Sequence, residues 1–115
     1  MSTLETLRDT VRTFAAERDW DQFHSPKNLA MALSVEASEL LEHFQWLTEE
    51  QSRQLSADKL AEVKHEMADV LIYLVRLADK LNVDLMTAAS EKIVLNGQKY
   101  PADKAKGTMK KYSEL

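Results

Sequence analysis

A long run of apolar side chains at three- and four-residue spacing constrains the fold of this chain more than any other feature. The run extends from about Ala57 to Leu81, and such spacing places its apolar side chains on one face of a helix. Polar residues fill the opposite face, so the segment predicts a long amphipathic helix. Its apolar positions are Leu60, Val63, Met67, Val70, Leu71, Leu74, Leu77, Ala78 and Leu81.

Capping residues predict where the other helices begin and end. Residues 3–18 form a first amphipathic segment, and Ser25 before Pro26 favours a second helix from about Lys27 to Phe44 or Trp46. The further signals are a capping box of Thr48 with Gln51 for a short helix, caps at Ser56 and Asp84, and a stop at Asn96-Gly97.

The remaining sequence supports one all-α domain that covers residues 1–115. Two Gly and two Pro in 115 residues argue against a turn-rich β fold. The expected architecture is a four-helix bundle, and the Lys-rich tail of about residues 101–115 is expected to be irregular. A chain of this length is near the small end for a single core, so oligomerisation would add stability.

Four carboxylates indicate a metal site. Glu36 and Glu39 lie three residues apart, as do Glu66 and Asp69, and this spacing puts each pair on one face of its helix. Packing of the two helices would gather all four carboxylates, which cannot all stay ionised without a cation between them. Carboxylate oxygens are the ligands that Mg²⁺ prefers.

The helical positions of these acids strengthen the prediction. At about 100° per residue, Glu66, Asp69 and Tyr73 form one stripe along the edge of the apolar face. Glu36 and Glu39 also border the apolar residues of their helix, and the short connection between the two helices makes them neighbours. Solvated helix faces often carry such pairs, so each pair alone would be weak evidence.

An aromatic-rich linker follows the first helix. Trp20, Phe23 and His24 lie within the sequence DWDQFHSP, and Trp46 lies near the predicted end of the second helix. Their simplest role is packing, but such rings also provide stacking platforms for a planar base.

Charge and composition exclude several classes of function. The net charge is −4; nine acids and three bases lie in residues 36–69, and six Lys and one acid in residues 92–111. The acidic middle and a tail without Arg argue against a nucleic acid polymer as partner. The absence of cysteine excludes thiolate metal sites. No segment resembles a signal peptide or a membrane span, so we expect a cytoplasmic protein without a membrane partner.

With these residues in view, the sequence resembles the MazG-like all-α nucleoside triphosphate pyrophosphohydrolases, most closely the dCTP pyrophosphatase branch. The resemblance is carried by EASE at 36–39 and EMAD at 66–69, and it extends over nearly the whole chain. The surrounding strings are FAAERDWDQFHSPKNLAMAL, FQW, DVLIYLVRLADKLNVDL, a Lys-x-x-x-Asn pattern and KYP.

The resemblance implies Mg²⁺-dependent cleavage of a nucleoside triphosphate, such as dCTP or a modified dCTP, to monophosphate and pyrophosphate. It implies Glu36, Glu39, Glu66 and Asp69 as metal ligands, with Glu36 or Glu39 also orienting or deprotonating the attacking water. It also implies a homotetramer. The substrate-binding residues that it implies are Trp20, Gln22, Phe23, His24 and Trp46 near the base, Tyr73 near the sugar or phosphates, and Lys92 and Asn96 near the phosphates.

Two positions depart from the family pattern. His43 and Val11 stand where close relatives have Leu and His, and the spacer after Trp46 is shorter than in some relatives. These departures leave the reaction class intact and leave the preferred base open.

Three alternatives compete with this interpretation. A di-iron bundle needs two Glu-x-x-His copies, and only Glu62-x-x-His65 is present. A zincin motif fails because position 69 is Asp. A non-catalytic helical interaction module with an acidic metal-binding face explains the helices and charge, but not the spaced acids or the aromatic linker.

Overall fold

The computed structural model describes residues 2–115, and these residues form helices and turns without a β-strand. They divide into two compact units, residues 2–82 and 83–115. The first unit holds α1 (Leu4–Glu17), α2 (Pro26–Glu42), the short α3 (Glu49–Ser52) and α4 (Ala57–Lys80). The second holds α5 (Leu85–Lys99) and the single turn α6 (Ala102–Ala105). The prediction of an all-α fold is confirmed.

Side-chain caps begin the helices where the sequence predicts. The hydroxyl of Ser25 accepts a hydrogen bond from the backbone N–H of Asn28 at α2, and Ser56 caps α4 in the same way. Asp84 caps α5, and the capping box of Thr48 and Gln51 is complete, with both of its hydrogen bonds formed. Each cap satisfies a backbone donor that the first turn of a helix leaves free.

The first unit is built around α4, on which both α1 and α2 pack. Its most buried apolar side chains come from all three helices: Ala15, Leu29, Val63, Val75 and Ala78. The packing of α2 on α4 confirms that the two acid-bearing helices are neighbours.

The apolar face predicted for α4 is wider than the face that is buried. Leu60 and Met67 are each more than half exposed, and Leu71 and Leu81 are also exposed. Helical periodicity identifies apolar positions but does not show which of them another helix covers. The sequence pattern therefore predicts more buried residues on α4 than the structure contains.

The end of α5 corrects the sequence-based boundary. The predicted stop at Asn96-Gly97 is wrong, since α5 continues through Gly97 to Lys99. It ends at Tyr100 because the residue before Pro101 is disfavoured in helical conformation.

The tail predicted to be irregular contains two short helical turns. One is α6, and the other is a 3₁₀ turn at Tyr112–Glu114. The Tyr112 ring packs edge-on against Tyr100 at 6.1 Å, and the Lys99 ammonium lies 5.0 Å from the Tyr112 ring centre. These contacts hold the end of the tail against the end of α5.

Across residues 2–115, no helix is both long enough and apolar enough to cross a membrane.

Candidate functional site

Three carboxylates converge where α2 packs on α4. Glu36 and Glu39 project from α2 and Glu66 from α4, and one oxygen of each lies within 4.8 Å of the others. We call these three residues the acid cluster. All three are half-buried, and they are three of the four acids that the sequence predicted to lie together.

Two oxygens of the acid cluster are buried without a hydrogen-bond partner. Oε2 of Glu36 and Oε2 of Glu66 have no donor within reach among residues 2–115. Unpaired buried oxygens are costly. The pKa of Glu36 is raised to about 7, mainly by burial and in addition by the neighbouring carboxyls of Glu66, Glu39 and Asp69. The cluster therefore binds a proton readily when no cation is present.

The donor set of the acid cluster fits a divalent cation. Carboxylate oxygens are hard ligands, and a cation would both neutralise the repulsion and satisfy the two unpaired oxygens. The fourth predicted ligand, Asp69, lies outside the group of three oxygens that converge most closely. Its charge nevertheless reaches Glu36, whose pKa it helps to raise.

A second candidate region is the turn after α1. The chain leaves α1 through Asp19, whose φ of 55° is left-handed, and the N–H of Trp20 donates to the carbonyl of Ala15 at 2.9 Å. The backbone N–H of Asp19 also donates to the carbonyl of Ala16. These two hydrogen bonds form a Schellman motif, which reverses the chain. A 3₁₀ turn at Asp21–Phe23 follows. We call residues 20–24 the aromatic turn.

The rings of the aromatic turn remain accessible. Trp20 is 45% and Phe23 59% exposed, and Trp20 packs edge-on against Phe14 at 5.8 Å. Gln22 donates its side-chain amide to the backbone carbonyl and the carboxylate of Asp19, which stabilises the turn and leaves its carbonyl oxygen free for another partner.

The aromatic turn is held on two helices by contacts that the sequence did not predict. Asn28 of α2 donates to the backbone carbonyl of Phe23 at 3.0 Å. On α4, Arg76 donates to Nδ1 of His24 at 3.1 Å and to Asp21 at 2.7 Å, and Lys80 also donates to Asp21. Arg76 lies seven residues after Asp69, on the same stripe of α4. This position is the one sequence signal that could have identified Arg76 as part of the site.

Arg76 is also linked to α1 through Asp79. Its guanidinium lies 3.3 Å from the Asp79 carboxylate, which Arg12 of α1 contacts with two hydrogen bonds of 2.5 and 3.0 Å. The hydrogen bond from Arg12 is the largest cause that lowers the pKa of Asp79, and it outweighs the opposing effect of burial. Asp79 therefore stays ionised and helps to balance the charge of Arg76.

The other predicted site residues are distributed more widely. Tyr73 is half-buried on α4, one turn after Asp69. Trp46 follows α2, is 87% exposed and has no aromatic partner among the described residues. Lys92 and Asn96 lie exposed on α5 in the second unit. Their roles in substrate binding stay predictions.

Comparison with known proteins connects these features. The model of the MazG-like family matches residues 31–115, which include the whole acid cluster. The chain is 46% identical to dCTP pyrophosphatase 1 of Homo sapiens and 45% identical to that of Mus musculus. Each alignment covers 98% of this chain and 68% of the relative.

The fold has a close counterpart among solved structures. The crystal structure of a pyrophosphatase from Archaeoglobus fulgidus DSM 4304 superposes with a TM-score of 0.80 and is 41% identical in sequence. The match covers 84% of this chain and 91% of that one. The family match, the identity to these relatives and the shared fold agree, and the chain belongs to the MazG-like family.

Proposed function

We propose that this chain is a nucleoside triphosphate pyrophosphohydrolase that hydrolyses dCTP or a modified dCTP to monophosphate and pyrophosphate, with Mg²⁺ as cofactor. Its relatives are named dCTP pyrophosphatase 1 and pyrophosphatase, and the matches cover 98% and 84% of this chain, respectively. The proposal places residues 1–115 in one catalytic domain.

The observation that carries the proposal is the pair of buried, unpaired carboxylate oxygens of Glu36 and Glu66 beside Glu39. A purely structural acid pair would be expected to have a hydrogen-bond donor or a basic residue beside it. A site that keeps such oxygens free is suited to a cation that arrives with a phosphorylated substrate.

In the proposed reaction, Glu36, Glu39, Glu66 and Asp69 hold Mg²⁺. When bound, Mg²⁺ supplies Lewis-acid stabilisation for the negative charge that develops on the departing pyrophosphate. Glu36 or Glu39 also orients the attacking water and accepts its proton, a role for which a carboxylate at the metal site is well placed. Water adds at the α phosphorus, and the bond from this phosphorus to the bridging oxygen breaks.

The base is proposed to bind at the aromatic turn. Trp20 and Phe23 offer exposed ring faces, and stacking on such rings contributes about 1–3 kcal/mol per base. Gln22 and His24 supply polar groups beside the rings, and Trp46 is proposed to cover the base. Tyr73 lies between the two regions on α4 and is proposed to contact the sugar or phosphates, with Lys92 and Asn96 at the phosphates.

The proposed enzyme is a homotetramer built on a four-helix bundle. Large apolar side chains stay exposed on three helices, among them Leu41 at 59%, Met67 at 57% and Ile93 at 70%. Burial of such side chains against partner subunits would stabilise the assembly. Light scattering coupled to size-exclusion chromatography tests the assembly, and a monomeric mass at micromolar concentration would contradict it.

The reaction is tested with a panel of dCTP, 5-methyl-dCTP, dUTP and dATP, in Mg²⁺ or in EDTA. Products are identified by ³¹P NMR in ¹⁸O-labelled water. We expect Mg²⁺-dependent formation of monophosphate and pyrophosphate, with the label in the monophosphate, because attack at the α phosphorus places the new oxygen there. The cytosine nucleotides should be the best substrates.

A matched pair of variants attributes the activity to the acid cluster. Glu39→Gln removes a proposed ligand charge and should reduce kcat by at least about a hundredfold. Glu42→Gln makes the same chemical change at an exposed position of α2 and should leave kcat unchanged. Absence of turnover with every nucleotide by folded wild-type protein would refute the enzymatic proposal and favour the interaction module.

A further inference from the structure

Arg76 is buried although it carries a full charge. It is 4% exposed, and each of its three nitrogens donates to a different residue: His24, Asp21 and Asp79. A buried charge with three partners of this kind is costly to disrupt. Two of these partners belong to the aromatic turn, so the contacts of Arg76 join α4 to the proposed base-binding region.

The hydrogen bond from Arg76 determines the protonation state of His24. An arginine nitrogen can only donate, so Nδ1 of His24 must be the acceptor and carry no proton. The remaining proton of a neutral imidazole then lies on Nε2. Partial burial and the positive charges of Arg76 and Lys80 lower the pKa of His24, with Asp21 acting in the opposite direction. His24 is therefore neutral at physiological pH and has one N–H to donate.

The position of Arg76 on α4 relates the aromatic turn to the acid cluster. Asp69, Tyr73 and Arg76 are spaced by four and three residues, so they share one stripe of the helix. The seven residues from Asp69 to Arg76 span about 10 Å of helix axis. The aromatic turn is thus anchored to α4 two helical turns beyond Asp69. This separation is in keeping with a nucleotide that has its phosphates at the acids and its base at the aromatic turn.

We propose that Arg76 is a positioning residue for the nucleobase: it anchors the aromatic turn on α4 and holds His24 in the tautomer that donates from Nε2 to an acceptor atom of the base. The inference rests on the proposed function and adds to it the residue that prepares the base site before substrate arrives. Each side-chain nitrogen of Arg76 already donates a hydrogen bond within the protein, so Arg76 need not contact the substrate.

The tautomer is measured first, in the wild-type protein without substrate. The chain has three histidines, His24, His43 and His65, so long-range ¹H–¹⁵N correlation of ¹⁵N-histidine-labelled protein at about pH 7.5 is readily assigned with a His24→Gln sample. We expect a neutral His24 ring with the proton on Nε2. A proton on Nδ1, or a doubly protonated ring, would overturn the inference without requiring any Arg76 variant to fold.

Kinetics of Arg76→Lys then separate positioning from a general loss of structure. Lysine keeps the charge but not the forked donor geometry. We expect KM for dCTP to rise roughly ten- to a hundredfold, the equivalent of a lost charged hydrogen bond, while kcat changes less than about threefold. The His24 spectrum of this variant should show mixed tautomers.

Arg53→Lys is the matched control, because it makes the same chemical change at an exposed arginine whose contacts are with Glu49 and Glu50, away from the aromatic turn. It should keep the Nε2 tautomer and a KM within about twofold of wild type. A fall in kcat with unchanged KM in Arg76→Lys would overturn the inference. Absence of wild-type turnover would refute the proposed function and the base-binding half of this inference, whereas the NMR spectrum alone decides the Arg76–His24 half.

Discussion

Replacement of Glu36 by Gln should stabilise the metal-free protein at alkaline pH. Burial is the main cause that raises the pKa of Glu36 from its ordinary 4.5 to about 7, so the folded protein binds this proton more tightly than the unfolded chain does. The stabilisation from Glu36 is therefore complete below about pH 4.5 and is lost as the pH rises through 7. Gln resembles the protonated carboxyl and stays neutral throughout.

The size of the effect follows from the pKa difference. A rise from 4.5 to about 7 corresponds to a ceiling of roughly 3 kcal/mol, at about 1.4 kcal/mol per pKa unit. Glu36 is only half-buried, and solvent screens part of the repulsion, so we expect about 1–2 kcal/mol. For a chain of 115 residues this equals a rise in Tm of about 4–8 °C.

The assay is thermal and urea unfolding of wild type and Glu36→Gln between about pH 4 and pH 8, in EDTA. The two proteins should have similar free energies of unfolding at the acidic end and diverge steadily above about pH 5. Glu42→Gln is the control, since it neutralises an exposed glutamate on the same helix. Its profile should run parallel to that of wild type.

Two results would refute the reasoning. One is an equal stability difference at both ends of the pH range, which would mean that the substitution acts through packing. The other is a variant less stable than wild type at about pH 8 in EDTA, which would mean that the ionised Glu36 has a favourable partner in the folded protein.

Four further substitutions test the local structure by urea unfolding. Ser56→Ala removes the cap of α4 and should lower the free energy of unfolding by about 1 kcal/mol. Gly97→Ala should raise it by up to about 1 kcal/mol, because the added methyl meets open space inside α5; Gly107→Ala, at a φ of +76°, should lower it. Asp79→Asn should cost about 1–3 kcal/mol at neutral pH by breaking the contacts with Arg12 and Arg76. Since the pKa of Asp79 is lowered, this cost should shrink as the pH falls below about 4.

The features that the sequence predicted are those that depend on neighbours within one or two helical turns. The caps at Ser25, Ser56 and Asp84 each involve a residue three positions away. The spacing of Glu36 and Glu39 is equally local, and the convergence of α2 with α4 required only that two helices joined by a short connection be neighbours. The acid cluster was predictable because two local patterns and one simple packing rule produce it.

The features that the sequence did not predict depend on contacts between distant residues. Arg76 contacts His24 and Asp21 across 52 and 55 positions of the chain. Periodicity shows only that Arg76 borders the apolar face, where charged residues are common. The error at the end of α5 has a different origin, since Gly97 permits a stop but does not require one, and Pro101 decides where the helix ends.

The two candidate regions differ in what they need in order to be stable, and this difference bears on how the site works. Hydrogen bonds from Arg76, Asn28 and Lys80 already hold the aromatic turn. The acid cluster, by contrast, leaves two buried oxygens unpaired and forces a carboxyl to keep its proton to about pH 7. Binding energy is lost when a flexible site must be ordered, so a base that binds as we propose would find the turn already ordered. In the proposed reaction, a cation that enters with the triphosphate would neutralise the acids, and it would thereby couple metal binding to substrate binding.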